Sequence, residues 1–346
     1  MHHIFYVQSG ISVAIAQKAI KQLQLNKEKC IFLTGRSVQI DGDFIVKDTS
    51  EWSFRTSLFF FVGWWKSLKS KRLIKDFLRE QQVASFKMYT ASFGHWFYYL
   101  LSKDKRCKEI WALEEGRASF YTEEEFKKYV KIFHYSSPKY LTYQIKAWFN
   151  HFFVHYPNPN KTIKILKKHD RALVTSLKSY TYISNRIVIE NPFDRADEDY
   201  SDIKCLMAMS YPVEDGLISI ENYTKAIEDT YEQIIKLGYT TIHYKFHPQQ
   251  LTNPKFIESY QLCIQRFSNQ INFIELPKST ILEVVAANSN ATVLSDYSSL
   301  IIYADTFGNK IYSNFSLLEK QEPEIKNRLG LLPQILLDLM HKNKFY

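Results

Sequence analysis

Short runs of β-branched and aromatic residues alternate with longer stretches of helical period along this chain. In the first half, the strand candidates are residues 4–7, 30–34, 85–89 and 109–113. The alternation restarts after residue 203, where the strand candidates are residues 204–209, 241–246, 271–276 and 291–294. Strands that alternate with helices favour parallel sheets covered by helices. The sequence therefore predicts an α/β protein with two doubly wound units that face each other across a cleft.

Residues 190–199 are polar and acidic and contain Pro192, a composition that is typical of a connection between domains. We accordingly predict an N-terminal domain at 1–190, a C-terminal domain at 203–322 and a C-terminal helical tail at 323–346. Within the first domain, residues 38–46 alternate around Asp41-Gly42, which predicts a β-hairpin.

The formal net charge of +9 favours an anionic ligand: a nucleotide, an acidic sugar, a nucleic acid or a membrane surface. The four cysteines are far apart and form no Cys-x-x-Cys pair, which argues against a zinc site and a disulfide framework. The first residues have the composition of a strand and lack the features of a signal peptide, and no apolar run has the length of a membrane span. We expect a cytoplasmic protein.

An aromatic run at 58–65 precedes a basic segment at 66–75. Together with the C-terminal segment 329–344, it could hold the protein on the inner face of the cytoplasmic membrane as a peripheral contact. The alternative is that 59–65 belongs to the core and that the basic segment is a solvated helix face.

Three polar clusters follow predicted strands, where the active sites of open α/β sheets lie. They are Glu114-Glu115-Gly116, Lys245-Phe246-His247-Pro248 and Ser295-Asp296-Tyr297-Ser298-Ser299. Paired carboxylates can accept a proton, a histidine can contact a phosphate and donate a proton, and hydroxyls at a helix start suit phosphate binding. Each cluster alone also has an ordinary structural interpretation: a solvated turn, a surface histidine and a helix N-cap.

Possible metal motifs have simpler explanations. Asp41-x-Asp43 fits a hairpin turn, and Asp197-x-Asp199 fits an acidic linker. His151 and His155 have the spacing of a zinc protease but lack the glutamate that follows the first histidine. The sequence therefore predicts no metal site.

The order of the three clusters resembles that of the bacterial sialyltransferases. Those enzymes share an acidic-acidic-Gly motif, a His-Pro motif and a Ser-Ser/Thr motif on a GT-B architecture of two Rossmann-like domains. Residues 211–219 and 277–283 also look like that family, and the resemblance is strongest across 203–312.

The resemblance implies a metal-independent, inverting sialyltransferase without a cofactor, whose donor is CMP-sialic acid and whose acceptor is a glycan of a capsule, O-antigen or lipooligosaccharide. His247 would contact the CMP phosphate and assist its departure, while Ser298 and Ser299 hold the same phosphate. Further residues on the donor side would be Lys245, Pro248, Glu283 and Pro212. A carboxylate of the first domain, Glu114 or Glu115, would deprotonate the acceptor hydroxyl, with Glu114 preferred.

Glu214-Asp215-Gly216 is a second acidic-acidic-Gly match and stays an alternative to the first. Two other functions also remain open. One is a GT-B transferase that uses another nucleotide-activated donor. The other is a basic nucleic-acid-binding protein, for which the sequence offers charge but no recognised motif. We expect a nucleotide-sugar donor and a glycan acceptor as partners, and no nucleic acid.

Overall fold

The computed structural model describes residues 1–35, 38–52, 60–91, 96–135, 169–194 and 199–345. The chain forms two compact units, Met1–Pro192 and Phe193–Tyr346. Phe193 belongs to the second unit because its fully buried ring packs edge-on against Tyr303 and Phe307.

A seven-stranded parallel sheet forms the centre of the first unit, in the order β3-β2-β1-β4-β5-β6-β7. The strand order reverses between β1 and β4, as in a doubly wound sheet. Both β1 and β2 carry unbroken apolar runs, since helices cover the two faces of the sheet. The strands are β1 His2–Val7, β2 Cys30–Thr34, β3 Ile45–Asp48, β4 Phe86–Thr90, β5 Cys107–Leu113, β6 Arg171–Val174 and β7 Arg186–Val188.

The described helices of the first unit are α1 Gly10–Gln22, α2 Phe60–Glu80, α3 Trp96–Ser102 and α4 Glu123–Tyr135. Ser9 and Ser12 form a reciprocal capping box that starts α1 directly after β1. Short 3-10 helices occur at Lys27–Lys29, Ser50–Trp52 and Gly116–Phe120.

The hairpin predicted at 38–46 does not form. Strand β3 instead pairs in parallel with β2 at the edge of the sheet. Gly42, with φ of +96°, turns the chain, and Phe44 packs edge-on against Phe32 with ring centroids 5.1 Å apart. Asp41-Gly42 is therefore not a two-residue hairpin turn. It lies in the longer connection between the parallel strands β2 and β3.

A five-stranded parallel sheet forms the centre of the second unit, in the order β10-β9-β8-β11-β12. The first strand, β8, is central, and the order reverses between β8 and β11. The strands are β8 Cys205–Ala208, β9 Thr241–Lys245, β10 Asn272–Glu275, β11 Thr292–Ser295 and β12 Ile311–Ser313. The prediction of two doubly wound α/β units is confirmed.

The helices of the second unit are α5 Ile220–Lys236, α6 Pro254–Phe267, α7 Leu282–Ala287, α8 Leu300–Phe307, α9 Phe315–Gln321, α10 Ile325–Arg328 and α11 Gln334–Lys342. The C-terminal residues pack into this unit. The Phe345 ring stacks on Tyr312 with ring centroids 5.0 Å apart, and Leu336, Leu339 and Met340 of α11 are buried.

Candidate functional site

Three loops come together at the carboxyl edge of the second sheet. The Tyr211 ring, after β8, stacks on the His247 ring, after β9, with centroids 4.0 Å apart and planes at 27°. The Ser210 hydroxyl, also after β8, donates a hydrogen bond to the Asp296 carboxylate, after β11. The loop of the central strand therefore contacts both neighbouring loops at the point where the strand order reverses, which is where doubly wound sheets bind ligands.

The His247 ring is oriented by its own loop. Its backbone N–H donates to Oε1 of Gln250 at 2.8 Å, and its Nδ1 accepts a hydrogen bond from the Gln249 N–H at 3.3 Å. Because Nδ1 is an acceptor, the neutral ring carries its proton on Nε2. The half-buried imidazole can therefore donate a hydrogen bond through Nε2 to an anionic oxygen.

Ser298 and Ser299 lie at the amino end of α8 and are half-buried. The Ser298 hydroxyl accepts a hydrogen bond from the Leu300 N–H at 3.2 Å, so it caps the first turn. Ser299 occupies the N-cap position, but its side chain makes no capping hydrogen bond. The N–H groups of Ile301 and Ile302 donate to the carbonyls of Ser298 and Ser299, so this end of α8 offers an anion the two serine hydroxyls and the positive end of the helix dipole.

Asp296 fixes the loop between β11 and these serines. Its carboxylate is 1% exposed and accepts hydrogen bonds from the Ser210 hydroxyl and from the Tyr297 N–H, the latter at 2.7 Å. Burial raises the pKa of Asp296 to about 6, although these hydrogen bonds oppose the rise. Asp296, Ser210 and Tyr211 are residues of this site to which the sequence motifs assign no role. Their position directly after buried strands was the available signal.

Lys245 and Glu283 are two partly or fully buried charged residues near this edge, and each influences the charge of the other. The Lys245 ammonium donates to the Thr280 carbonyl, and burial lowers the pKa of Lys245. Burial raises the pKa of Glu283, on α7, to about 7, and the nearby positive charge of Lys245 opposes that rise. A carboxyl group with this pKa is available in both protonation states near neutral pH.

Pro212 begins a turn that follows Tyr211, and its own ring is buried. Within that turn Gly216 has φ of +69°, Asp215 is exposed, and Glu214 Oε1 accepts a hydrogen bond from Asn253 Nδ2 at 2.9 Å. Asn253 also caps α6. Glu214 therefore joins this turn to the start of α6 through one carboxylate oxygen.

Glu114, at the carboxyl end of β5, is fully buried and tied to the neighbouring strand. One carboxylate oxygen accepts from the Thr175 N–H at 2.8 Å, and the other accepts from the Thr175 hydroxyl at 2.6 Å. The Glu114 N–H donates to the Leu173 carbonyl at 3.0 Å. These contacts join the ends of β5 and β6.

The next residue, Glu115, is half-buried. Its N–H donates to the Ser119 hydroxyl at 2.8 Å, and its side chain does not cap the 3-10 helix that follows. Gly116, with φ of +53°, turns the chain directly afterwards. Of the two predicted carboxylates, Glu115 is thus the one that solvent and a substrate can reach.

Among the described residues, no group of three or more His, Cys, Asp or Glu side chains is arranged to hold a metal ion. His151, His155 and Asp197 lie outside the described residues. No helix within the described part of the chain is long and apolar enough to cross a membrane.

Neither a family model nor a curated protein matches this chain. The solved structures that are similar to it over nearly its whole length include the following two. S. aureus MnaA, in a co-structure with UDP, has 15% sequence identity and a TM-score of 0.50, with 98% of this chain and 87% of that chain covered. The UDP-GlcNAc 2-epimerase from Methanocaldococcus jannaschii has 11% identity and a TM-score of 0.51, with 98% and 99% covered.

The chain has a GT-B-like fold. At these identities the similarity establishes the fold alone. In a GT-B-like chain, the contacts of Tyr211 and Asp296 mark the carboxyl edge of the second Rossmann-like unit as the candidate site. Lys245, His247, Pro248, Ser298 and Ser299 follow or end strands at that same edge, whereas Glu114 and Glu115 belong to the first unit.

Proposed function

We propose that this protein is a glycosyltransferase that transfers a sugar from a nucleotide donor to a hydroxyl acceptor. The observation that carries the proposal is the joining of three loops at the reversal point of the second sheet, through Tyr211–His247 and Ser210–Asp296. Through these two contacts, the His247 imidazole and the amino end of α8 lie on either side of the central strand β8. A hydrogen-bond donor and a helix amino end suit the phosphate of a nucleotide sugar.

In this proposal the donor phosphate accepts a hydrogen bond from His247 Nε2 and contacts Ser298 and Ser299. Glu115 removes the proton of the acceptor hydroxyl while the oxygen of that hydroxyl forms a bond to the anomeric carbon. The bond from that carbon to the phosphate oxygen breaks, and the nucleotide leaves with the electron pair. His247, the two serine hydroxyls and the dipole of α8 compensate the charge on the leaving phosphate, so we propose that no metal ion is needed.

The donor class that has the best support is a UDP-sugar. The two similar structures are an enzyme named for UDP-GlcNAc and a protein solved with UDP. CMP-sialic acid is the second candidate, and what favours it is the order of the acidic, His-Pro and Ser-Ser motifs. Either donor brings a phosphate to the same loops, so the roles of His247 and the serines do not depend on the choice.

A donor screen tests the proposal and separates these candidates. The purified chain is incubated with UDP-, GDP- and CMP-activated sugars and glycan acceptors, and the released nucleotide is measured. We expect one nucleotide to be released in an acceptor-dependent manner. Failure to turn over any nucleotide sugar, together with salt-sensitive binding to DNA, would instead favour a nucleic-acid-binding protein.

The same assay tests His247. The His247→Ala variant should turn over at least about 100-fold more slowly, a typical scale for loss of a proton donor. His243→Ala is the matched control, because His243 is a half-buried histidine within β9, whereas His247 follows the carboxyl end of that strand. Equal losses in the two variants, or no loss for His247→Ala, would contradict the assignment.

A further inference from the structure

A basic cavity of about 870 Å³ lies at the amino edge of the first sheet. It is bordered by the C-terminal half of α2, the segment before β4 and the turn between α3 and β5. Six basic side chains and one acidic side chain line it. They are Lys71, Lys75, Arg79, Lys103, Lys105 and Arg106, with Asp104 as the acid.

Part of this positive charge is paired within the protein: Asp76, on the same helix, contacts Arg79 at 2.9 Å and Arg72 at 3.7 Å. Asp104 is held by a bidentate pair with Arg106, at 2.8 and 2.9 Å, which lowers the pKa of that carboxyl. Lys71, Lys75 and Lys105 form no ion pair with another described residue, and all three are exposed. A space of this size with excess positive charge suits a phosphate-bearing headgroup.

Exposed apolar side chains lie on the same helix. The Trp65 side chain is 68% exposed and Leu68 is 37% exposed. Successive residues of a helix are about 100° apart around its axis. One arc of about 80° on α2 therefore contains Trp65, Leu68, Arg72, Lys75 and Arg79. The opposite face of the helix is buried, through Ser70, Ile74, Phe77 and Leu78. Helix α2 therefore presents one outward face that is apolar at its start and basic towards its end.

We infer that this face of α2, together with the basic cavity, binds the surface of an anionic phospholipid bilayer. Trp65 and Leu68 enter the boundary between headgroups and acyl chains, while the cavity holds a phosphate-bearing headgroup. Trp65 precedes Lys75 by ten residues, or about 15 Å along the helix, and both lie within this arc, so both can contact one surface. A soluble polyanion would use the lysines but has no need of an exposed leucine, and for this reason we favour the bilayer.

This surface is separate from the proposed catalytic groups of the first unit. The cavity residues precede β5, whereas Glu115 follows it. The seven residues of β5 span about 20 Å. The C-terminal segment 329–344 is not part of the surface, because the apolar side chains Leu336, Leu339 and Met340 of α11 are buried in the second unit. Leu58 and Phe59 lie outside the described residues.

Co-sedimentation of the full chain with vesicles tests the inference. Vesicles of phosphatidylcholine with phosphatidylglycerol are compared with vesicles of phosphatidylcholine alone. We expect binding to the anionic vesicles only. The triple variant Lys71→Ser/Lys75→Ser/Lys105→Ser should partition about 100-fold more weakly, at about fivefold for each basic residue near an anionic surface. Trp65→Ser/Leu68→Ser should also bind more weakly, with a loss that high salt does not remove.

A second basic cavity supplies the matched control. It is bordered by Lys236, Lys342 and Lys344 of the second unit, and Lys→Ser at these three positions removes the same charge. We expect this control to bind vesicles within a few-fold of wild type. Equal losses in the two triple variants would show a response to net charge and overturn the proposed site. Binding to soluble heparin without binding to vesicles would overturn it in favour of an anionic polymer.

Discussion

Alanine substitution at the adjacent residues Glu114 and Glu115 should affect different properties. We expect the Glu114 variant to lose stability and the Glu115 variant to lose turnover. Glu114→Ala removes the acceptor for two hydrogen bonds from Thr175, at 2.8 and 2.6 Å, inside a fully buried environment. Each buried donor left without a partner costs about 1–3 kcal/mol. We therefore expect the free energy of unfolding to fall by about 2–5 kcal/mol, a large part of the about 5–15 kcal/mol available to a domain.

Glu115→Ala should leave the free energy of unfolding within about 1 kcal/mol of wild type, because substitutions of partly exposed side chains usually have small effects on stability. If Glu115 is the base, turnover should fall by about 100-fold or more. Glu115→Gln keeps the shape and should lose turnover equally. Glu124→Gln, an exposed substitution in the same unit, is the control for the change in charge.

Urea unfolding and initial rates of nucleotide release measure the two effects separately. Thr175→Val removes one donor to Glu114 while leaving the backbone, so it is a milder test should Glu114→Ala fail to fold. A double-mutant cycle between Glu114 and Thr175 should give a coupling energy of about 1–3 kcal/mol, and the cycle between Glu115 and Thr175 should give about zero. The reasoning fails if Glu114→Ala is as stable as wild type and loses turnover while Glu115→Ala keeps it.

Two further predictions concern pH and metal ions. Burial raises the pKa of Asp296 to about 6, against about 3.9 in an unfolded chain, so the folded state binds this proton more tightly. The contribution of Asp296 to stability is therefore complete below about pH 4 and declines by about 3 kcal/mol as pH rises towards 6. Asp296→Asn cannot ionise and should lack this decline in chemical unfolding measured across that range; an unchanged pH profile would contradict the assigned burial. Turnover should persist in EDTA, because His247, the two serine hydroxyls and the dipole of α8 compensate the phosphate charge in this proposal. Loss of activity that Mg²⁺ restores would contradict it.

Much of the fold could be predicted because its signals are local. A strand buried on both faces of a parallel sheet needs an unbroken apolar run, and residues 30–34 provide one. Such a run also locates the carboxyl end of the strand. In a parallel sheet, the loops at these ends form the edge where ligands bind. The error at Asp41-Gly42 arose from the same reliance on local patterns, because a dipeptide that favours a turn does not determine which way the next strand runs.

The contacts that organise the candidate site could not be predicted in this way. Ser210 and Asp296 are separated by 86 residues, and Glu114 and Thr175 by 61. Spacing within a motif contains no information on such pairs. The sequence shows two adjacent glutamates with the same chemistry, and only the position of Thr175 distinguishes the buried one from the accessible one.

One strand end in each sheet shares an arrangement that explains why the polar clusters have mixed roles. After β5 and after β8, a buried polar residue joins neighbouring loops or strands and a more exposed residue follows it directly: Glu114 before Glu115, and Ser210 before Tyr211. Successive residues of an extended chain point in opposite directions, so one can face the interior while the next faces a ligand. The buried member restricts the position of its neighbour, which is what a preorganised site requires. Substitutions at Glu114 or Asp296 should therefore change stability and turnover together, whereas substitutions at Glu115 or His247 should change turnover alone.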